Sequence, residues 1–152
     1  MKKILVMGLI SGLCSTGAFA AACGFSGTGS AAAAIATPTA ATEQCACNGG
    51  TAQKTSINGG PGAVVATPVF TKTGFEVQCS ANTVVSYNEV SGTLFAVAAG
   101  SGKGNQLFAG NSNGGAVQAS TTACQGTNKA CLGSDVSGEL GRAVIAGSGA
   151  GS

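Results

Sequence analysis

One short glycine-rich loop carries the residue types of a phosphate-binding site. Residues 100–104 read GSGKG, and nucleotide-binding loops follow the pattern G-x-x-x-x-G-K-[ST]. Aligning Lys103 with the lysine of that pattern places Val97 at its first glycine and Gly104 at its Ser/Thr position. Residues 106–108 also look extended, whereas a phosphate site needs a helix N-terminus there. We therefore predict no nucleotide partner and assign the loop to the tip of a hairpin.

The other reactive side chains predict no catalytic site. The chain has no histidine, so Ser-His-Asp and Cys-His arrangements are excluded. Asp135 and Glu139 have the i, i+4 spacing of neighbours on a helix, but Gly133 and Gly138 argue against a stable helix there. We expect two acids in a solvated loop. The sequence thus predicts no enzyme activity, no catalytic residue and no cofactor.

The first twenty residues have the three regions of a secretory signal peptide. Lys2 and Lys3 give a positive start, residues 4–14 are apolar, and residues 18–20 read AFA, a small-x-small cleavage site. The apolar run is too short for a stable membrane span. We predict cleavage after Ala20 and a secreted protein, extracellular or on a bacterial cell surface, that meets a membrane only during export.

Six of the seven cysteines follow the predicted cleavage site, and an even count in an exported chain is typical of disulfide pairing. Six cysteines allow fifteen pairings, which sequence alone leaves open. With no CxxC pair and no histidine, the zinc and c-type haem patterns are missing, and we predict no metal site. The predicted disulfide cysteines are Cys23, Cys45, Cys47, Cys79, Cys124 and Cys131.

Local spacing favours some of these pairings. Cys124 and Cys131 are the best single pair, because residues 125–128 can turn the chain back on itself. Cys45 and Cys47 are too close in sequence to bridge each other comfortably, so we expect each to reach elsewhere. Cys23 is a natural partner for one of them, which would tie down the N-terminal arm.

Removal of the leader makes the predicted mature chain neutral. Seven Lys and Arg residues less Lys2 and Lys3 leave five, against five Asp and Glu residues. No basic patch is then available for a nucleic acid backbone, so we predict no nucleic acid partner. A sparsely charged, neutral surface repels its own copies weakly, which permits self-association.

The chain divides into an arm, a β-domain and a tail. Residues 21–62 are rich in Gly, Ala and Thr and are predicted as a low-complexity arm, residues 63–141 as the β-domain with a disulfide loop, and residues 142–152 as a Gly/Ala/Ser-rich tail. Alternation and β-branched residues predict short strands linked by turns, so neighbours should pair antiparallel. The predicted fold class is all-β, a small disulfide-stapled antiparallel sandwich or incomplete barrel. The predicted strands are 63–70 (an edge strand or a broken one because of Pro68), 75–80, 83–88, 93–99, 106–109 and 116–119.

The strands on either side of the GSGKG loop are apolar on both faces. A symmetric hairpin pairs Ala99 with Gln106 and Val97 with Phe108, a favourable aromatic and β-branched pair. Such a hairpin must be covered on both sides. The cover is either the second sheet of the same domain or another subunit.

The segment from Cys79 to Val117 reads CSANTVVSYNEVSGTLFAVAAGSGKGNQLFAGNSNGGAV. Its composition and the spacing of its predicted strands resemble the β-rich part of small exported, cysteine-paired bacterial proteins that build surface filaments or pili. The resemblance implies a homopolymer in which an extended terminal arm engages the sheet of a neighbour. The chain lacks the donor segment of chaperone-usher pilins and the N-terminal helix of type IV pilins, and no functional residue is carried over.

Two functions follow as expectations. The first is a secreted structural subunit that self-assembles into an extracellular filament, sheath or matrix fibre, with residues 31–42 or 143–147 contacting the next subunit. The second is a monomeric secreted β-type binding module, an adhesin or carbohydrate-binding domain, although the chain has no Trp and one Tyr for the aromatic platforms that sugars prefer. The expected assembly surface comprises Phe95, Val97, Leu107, Phe108, Val144 and Ile145.

Overall fold

The computed structural model describes residues 23–24, 39–114 and 116–149. The predicted signal peptide and most of the predicted arm lie outside the described residues. The described chain forms seven strands, a 3₁₀ turn at Thr127–Lys129 and one α-helix. The strands are β1 (Glu43–Asn48), β2 (Gln53–Ile57), β3 (Phe75–Cys79), β4 (Thr83–Glu89), β5 (Phe95–Ser101), β6 (Gln106–Asn111) and β7 (Gln118–Ala123), and the helix is α1 (Gly133–Gly147).

Five strands form one antiparallel sheet in the order β1-β4-β5-β6-β7, and β2 pairs with β3 in a second, two-stranded sheet. Helix α1 packs on one side of the large sheet, which we call the helix face. The small sheet packs on the other side, which we call the sandwich face. This mainly antiparallel, disulfide-linked architecture confirms the predicted fold class.

The helix face carries the larger of two cores. Small side chains at Ala96 and Ala98 let α1 approach the sheet closely, and Leu107 fills the space beside them. Gly147 is needed for the same approach, since a Cβ there would lie 2.5 Å from Leu94 Cδ1. The helix contributes the apolar stripe Val136, Leu140 and Ala143.

The sandwich face is covered by the small sheet and by the loop between β2 and β3. Tyr87 stacks on Phe95 with ring centroids 5.5 Å apart, and Phe70 from the loop meets Phe95 at 5.4 Å. Ile57 is fully buried beneath them, with Phe75 packed alongside. The two apolar faces of the predicted hairpin are thus covered within one chain, by α1 on one side and chiefly by the small sheet on the other.

The predictions of a loop at Asp135 and Glu139 and of a tail beginning at residue 142 are wrong, because these residues belong to helix α1. Its glycines at 138 and 141 cost about 1 kcal/mol each relative to alanine. The buried stripe outweighs this cost, because burying Val136 and Leu140 contributes about 1.5–3 kcal/mol each. The Asp135 carboxylate also closes the first turn by accepting from the backbone N–H of Leu132 over 2.9 Å. No described helix is long and apolar enough to cross a membrane.

Three further predictions differ from the structure. Residues 43–57, placed in the arm, supply β1 and β2. Residues 63–70 make one isolated bridge, from Val64 to Thr73, instead of a strand. In the hairpin, Ala99 pairs with Phe108, two residues from the symmetric register, because β5 continues to Ser101. A shift of two residues keeps every side chain on its expected face.

The three disulfides join Cys23 to Cys45, Cys47 to Cys79 and Cys124 to Cys131. Cysteines two residues apart on a regular strand share a face, but a bulge interrupts β1 between Cys45 and Cys47. Cys45 therefore joins the helix-face core, while Cys47 reaches β3 and ties the two sheets together. Three disulfides are typical of proteins that work in an oxidising environment outside the cytosol.

Candidate functional site

Strand β7 is the most exposed strand of the large sheet. Among the described residues it pairs with β6 alone, and its sequence QASTTA has neither a charge nor a proline. Edge strands of natural proteins are normally protected by charges, prolines or a covering element, because their free backbone groups pair readily with another strand. Within the part of the chain that the structure describes, β7 has no charge, proline or covering element at its edge, but its pairing with β6 is irregular between Ala119 and Ala123. Such a bulge gives an edge partial protection.

A groove of about 660 Å³ runs between β7 and α1. It exists because α1 lies mainly over β4, β5 and β6 and leaves the helix face of β7 uncovered. Small side chains line much of it, including Ala109, Ala116, Ala143 and Ala146. The groove is therefore a partly polar channel that lies alongside β7 on the helix face of the sheet.

Four polar side chains link β7 to α1 across this groove. Ser120 Oγ donates to Glu139 Oε2 over 2.8 Å, and Arg142 Nη1 donates to the same oxygen over 2.7 Å. Arg142 Nη1 also donates to Thr122 Oγ1 over 2.8 Å. Glu139 is almost buried, whereas 60% of the Arg142 side chain is exposed. These contacts hold β7 against the helix and leave a guanidinium at the mouth of the groove.

On its sandwich face the same end of the sheet is uncovered. The small sheet packs over β1, β4 and β5, and it leaves Phe108 45% exposed. Phe108 pairs in register with exposed Ala119 of β7. Val117 is 60% exposed and lies against Gly110, next to them. We call Phe108, Val117 and Ala119 the open patch; it borders the β7 edge on the face opposite the groove.

The structure does not bring the six predicted assembly residues onto one surface. Leu107 is buried in the helix-face core, and Val144 packs against that core. Phe95 and Val97 pack in the sandwich core. Phe108 and Ile145 are exposed, but on opposite sides of the sheet. The sequence predicted a strand at residues 116–119, which overlaps only the start of β7, because the small polar side chains of β7 give no hydrophobic periodicity. The Thr121-Thr122 pair was the available β-strand signal for the rest of the strand.

The most buried acid lies away from this edge. Glu89 accepts hydrogen bonds from the backbone N–H groups of Phe70 (2.7 Å) and Thr71 (2.9 Å), from Thr71 Oγ1 (2.9 Å) and from Asn58 Nδ2 (2.8 Å). Burial raises the pKa of Glu89, but these hydrogen bonds together leave it below its ordinary value. Burial and the Glu89 charge raise the pKa of Tyr87 well above its usual range. This site fastens the loop after β2, which carries Phe70, onto the sandwich core.

The GSGKG segment is a strand end and a turn. Gly100 and Ser101 belong to β5, and the chain returns directly into β6. The backbone N–H of Gly104 donates to the Ser101 carbonyl over 3.0 Å, and that of Lys103 donates to Ser101 Oγ over 3.2 Å. Gly100 itself packs under the third disulfide, since a Cβ there would lie 2.8 Å from Cys131 Cβ. These glycines serve the hairpin and its packing.

No protein-family model, curated protein or solved structure matches the chain. The β7 edge, the groove and the open patch are the features of the described residues that bear on function.

Proposed function

We propose that this protein is a secreted structural subunit that self-associates into an extracellular filament, sheath or matrix fibre. The observation that carries the proposal is the uncharged, uncovered β7 edge, bordered by exposed apolar side chains of the open patch. An open edge of this kind favours pairing with a strand of another chain. The partner in this proposal is the protein itself.

The cross-linked architecture supports a structural role outside the cell. Cys47–Cys79 ties the two sheets together, and Cys23–Cys45 ties the N-terminal segment to β1. Each disulfide contributes about 2–4 kcal/mol by limiting the unfolded chain. The predicted mature chain has no net charge to keep its copies apart. Robust folding and weak self-repulsion are both properties that a fibre subunit needs.

The anchoring of the chain favours edge contact over donation of a terminal arm. Cys23 is buried and bonded to Cys45, and Ala41 is hydrogen-bonded to the end of β4 through the Glu89 carbonyl. Most of the expected segment 31–42 lies outside the described residues, and its described end at Ala41 is attached to the domain. Residues 143–147, the other expected contact, belong to α1. We assign the contact to β7, whose edge lies among the described residues.

The test compares two substitutions at one exposed position of β7. Thr121→Pro removes a backbone N–H from the strand, which paired strands tolerate poorly, whereas Thr121→Val retains it. Light scattering of the oxidised protein, secreted from the full-length chain, should show mass rising with concentration for the native protein and Thr121→Val. Thr121→Pro should stay monomeric. Negative-stain microscopy of the native material should show the fibres.

Folding must be preserved for this comparison to hold. Intact disulfides by mass spectrometry and an unchanged melting profile provide the control. Ala119→Lys is a second edge variant, because a lysine on an exposed strand edge disfavours pairing without removing a hydrogen bond. A native protein that stays monomeric at every concentration would refute the proposal. So would edge variants that are folded and assemble like the native chain.

A second candidate, a monomeric binding module, is favoured by the groove. Its volume of about 660 Å³ lies within the range of about 300–1,000 Å³ typical of small-ligand sites. In that case the native protein would stay monomeric in light scattering and bind a ligand in a glycan array. Arg142→Ala would abolish that binding.

A further inference from the structure

We propose that Asn113, in the turn between β6 and β7, is a site of spontaneous deamidation, and that its conversion to a carboxylate loosens the end of helix α1. The sequence Asn-Gly-Gly occurs three times, at residues 48–50, 58–60 and 113–115. At an Asn-Gly step the following backbone nitrogen attacks the side-chain amide most easily, because glycine has no Cβ in the way. The three copies are alike in sequence, so a difference in their reactivity comes from the fold. The reaction does not depend on the proposed self-association.

The fold protects the first two copies. Gly49 is buried, and its backbone N–H, which holds the attacking nitrogen, donates to the Thr83 carbonyl over 2.9 Å. Asn58 is also buried, and its Nδ2 donates to Glu89 Oε1 over 2.8 Å. A buried amide lacks the water that exchanges protons with it during the reaction. We therefore expect neither Asn48 nor Asn58 to react in the folded chain.

The third copy is open to solvent, since Asn113 and Gly114 are both exposed. Asn113 Nδ2 donates to the Gly147 carbonyl over 3.0 Å, and this surface contact opens more readily than the buried contacts of Asn58. The Gly114 nitrogen then forms a bond to Asn113 Cγ and gives its proton to water, while Nδ2 takes up a proton from water and leaves as ammonia. Water opens the resulting succinimide ring, which yields aspartate or isoaspartate at position 113.

Conversion changes a contact at the C-terminal end of α1. Gly147, whose carbonyl accepts from the Asn113 amide, is the last residue of the helix. A carboxylate at position 113 cannot donate, and it brings a negative charge to carbonyls that already form the negative end of the helix dipole. The last turn of α1, all of which the structure describes, contains no basic residue that would offset this charge. Deamidation therefore destabilises the end of the helix.

The same turn borders the groove and the open patch. Asn111, Gly114 and Ala146 line one end of the groove, and Val117 of the open patch lies against Gly110. The new carboxylate also gives a negative net charge to the predicted mature chain, which is otherwise neutral. Deamidation is thus a slow change of the surfaces on which both candidate functions depend.

Peptide mapping of aged protein tests the selectivity. The oxidised protein, secreted from the full-length chain, is kept at mildly alkaline pH, where the attacking nitrogen loses its proton more readily, and samples are reduced and digested with trypsin at intervals. Residues 55–72 and 104–129 lie between lysines and form separate peptides, whose fragment masses show which asparagine has become an acid. We expect conversion at Asn113 and not at Asn48 or Asn58. The matched control is the reduced, alkylated chain in guanidinium chloride, in which all three asparagines should convert at comparable rates.

Variants at the two positions test the mechanism and its effect on α1. Gly114→Ala should slow the conversion several-fold; the fold tolerates it, because the φ of Gly114 lies outside the left-handed region and a Cβ there would meet Asn111 Oδ1 at 3.5 Å. Asn113→Asp mimics the product, and Asn113→Ala removes the hydrogen bond without adding a charge. We expect Asn113→Asp to melt about 2–8 °C below the native protein at neutral pH and also below Asn113→Ala. The difference between the two variants should disappear as acid protonates the carboxylate.

Three results would overturn the proposal. Folded protein in which Asn48 or Asn58 converts as fast as Asn113 would remove the selectivity. An Asn113 that stays an amide while the unfolded chain reacts would remove the site. Equal melting temperatures of Asn113→Asp and Asn113→Ala at neutral pH would remove the effect on the helix. The light-scattering test of self-association is unaffected by any of these results.

Discussion

Replacing Glu89 by glutamine tests whether this buried carboxylate fastens the sandwich core. Glutamine has the same shape but offers one carbonyl oxygen in place of two carboxylate oxygens, and its amide group would face the N–H donors of Phe70 and Thr71. About two of the four charge-assisted hydrogen bonds are lost, each worth about 1.5–3 kcal/mol. We expect Glu89→Gln to lower the free energy of unfolding by about 3–6 kcal/mol. This is a large part of the 5–15 kcal/mol of a typical domain.

Acid should also weaken the contribution of Glu89 in the native protein. The pKa of Glu89 in the folded state lies below its ordinary value of 4.5, because its hydrogen bonds to Asn58, Thr71 and Phe70 outweigh the effect of burial. The unfolded chain therefore binds this proton first as the pH falls. The stabilisation is fully present above the unfolded-state pKa and is lost as the pH falls through the folded-state pKa. The difference between the native protein and Glu89→Gln should shrink over that interval.

Urea unfolding at neutral pH and at a series of acidic pH values measures both effects, with the Tyr87 near-ultraviolet signal as the probe. Glu76→Gln is the matched control. Glu76 faces solvent and pairs with Lys54 at 3.3 Å, and an exposed pair of this kind contributes about 0–1 kcal/mol. Equal unfolding midpoints for Glu89→Gln and the native protein would refute the reasoning. A difference that does not change between neutral and acidic pH would refute the protonation argument.

Two further predictions concern packing and cross-links. Gly100→Ala should destabilise the protein by about 1–3 kcal/mol, because the added methyl group overpacks against Cys131. Gly141 lies at an exposed helix position with open space around it, so Gly141→Ala should stabilise the protein by about 0.5–1 kcal/mol through helix propensity. Thermal melts of the two variants measure both effects, and a Gly100→Ala protein as stable as the native one would contradict the close packing. Removing Cys47–Cys79 should lower the free energy of unfolding by about 1 kcal/mol more than removing Cys124–Cys131, because Cys47–Cys79 closes a loop of sequence separation 32 and Cys124–Cys131 one of 7. Urea unfolding of the two double Cys→Ser variants measures the difference. A reversed order would show that native-state contacts outweigh loop length.

Much of the β-architecture follows from local sequence patterns. Alternation in residues 75–80 and the β-branched run at 83–88 predicted β3 and β4 closely, and the apolar stretches around residues 100–105 predicted the β5–β6 hairpin. The pairing register of β5 and β6 does not follow from the pattern of apolar residues. Gly100 reads as a turn residue, but it lies in the strand because only a glycine fits beneath Cys131.

The helix and the edge strand were harder to predict for a physical reason. The glycines around Asp135 lower helix propensity, and the buried contacts of Val136 and Leu140 that outweigh them come from strands remote in sequence. Strand β7 is small and polar because it is an edge, so it lacks the apolar alternation that marks a half-buried strand. Of the candidate site, the sequence predicted Phe108 and an apolar surface needing a partner, but not the Ser120, Glu139 and Arg142 cluster.

The two edge strands of the large sheet, β1 and β7, differ in how they are cross-linked to the rest of the domain. Strand β1 is tied on both faces, by Cys23–Cys45 toward α1 and by Cys47–Cys79 toward the small sheet. Strand β7 has a disulfide only just beyond its last residue, and along its length it is held to α1 by the side chains of Ser120 and Thr122. Side-chain hydrogen bonds rearrange at lower cost than disulfides. The β1 end of the large sheet is therefore fixed by covalent bonds on both faces, whereas β7 is linked to α1 through side-chain hydrogen bonds.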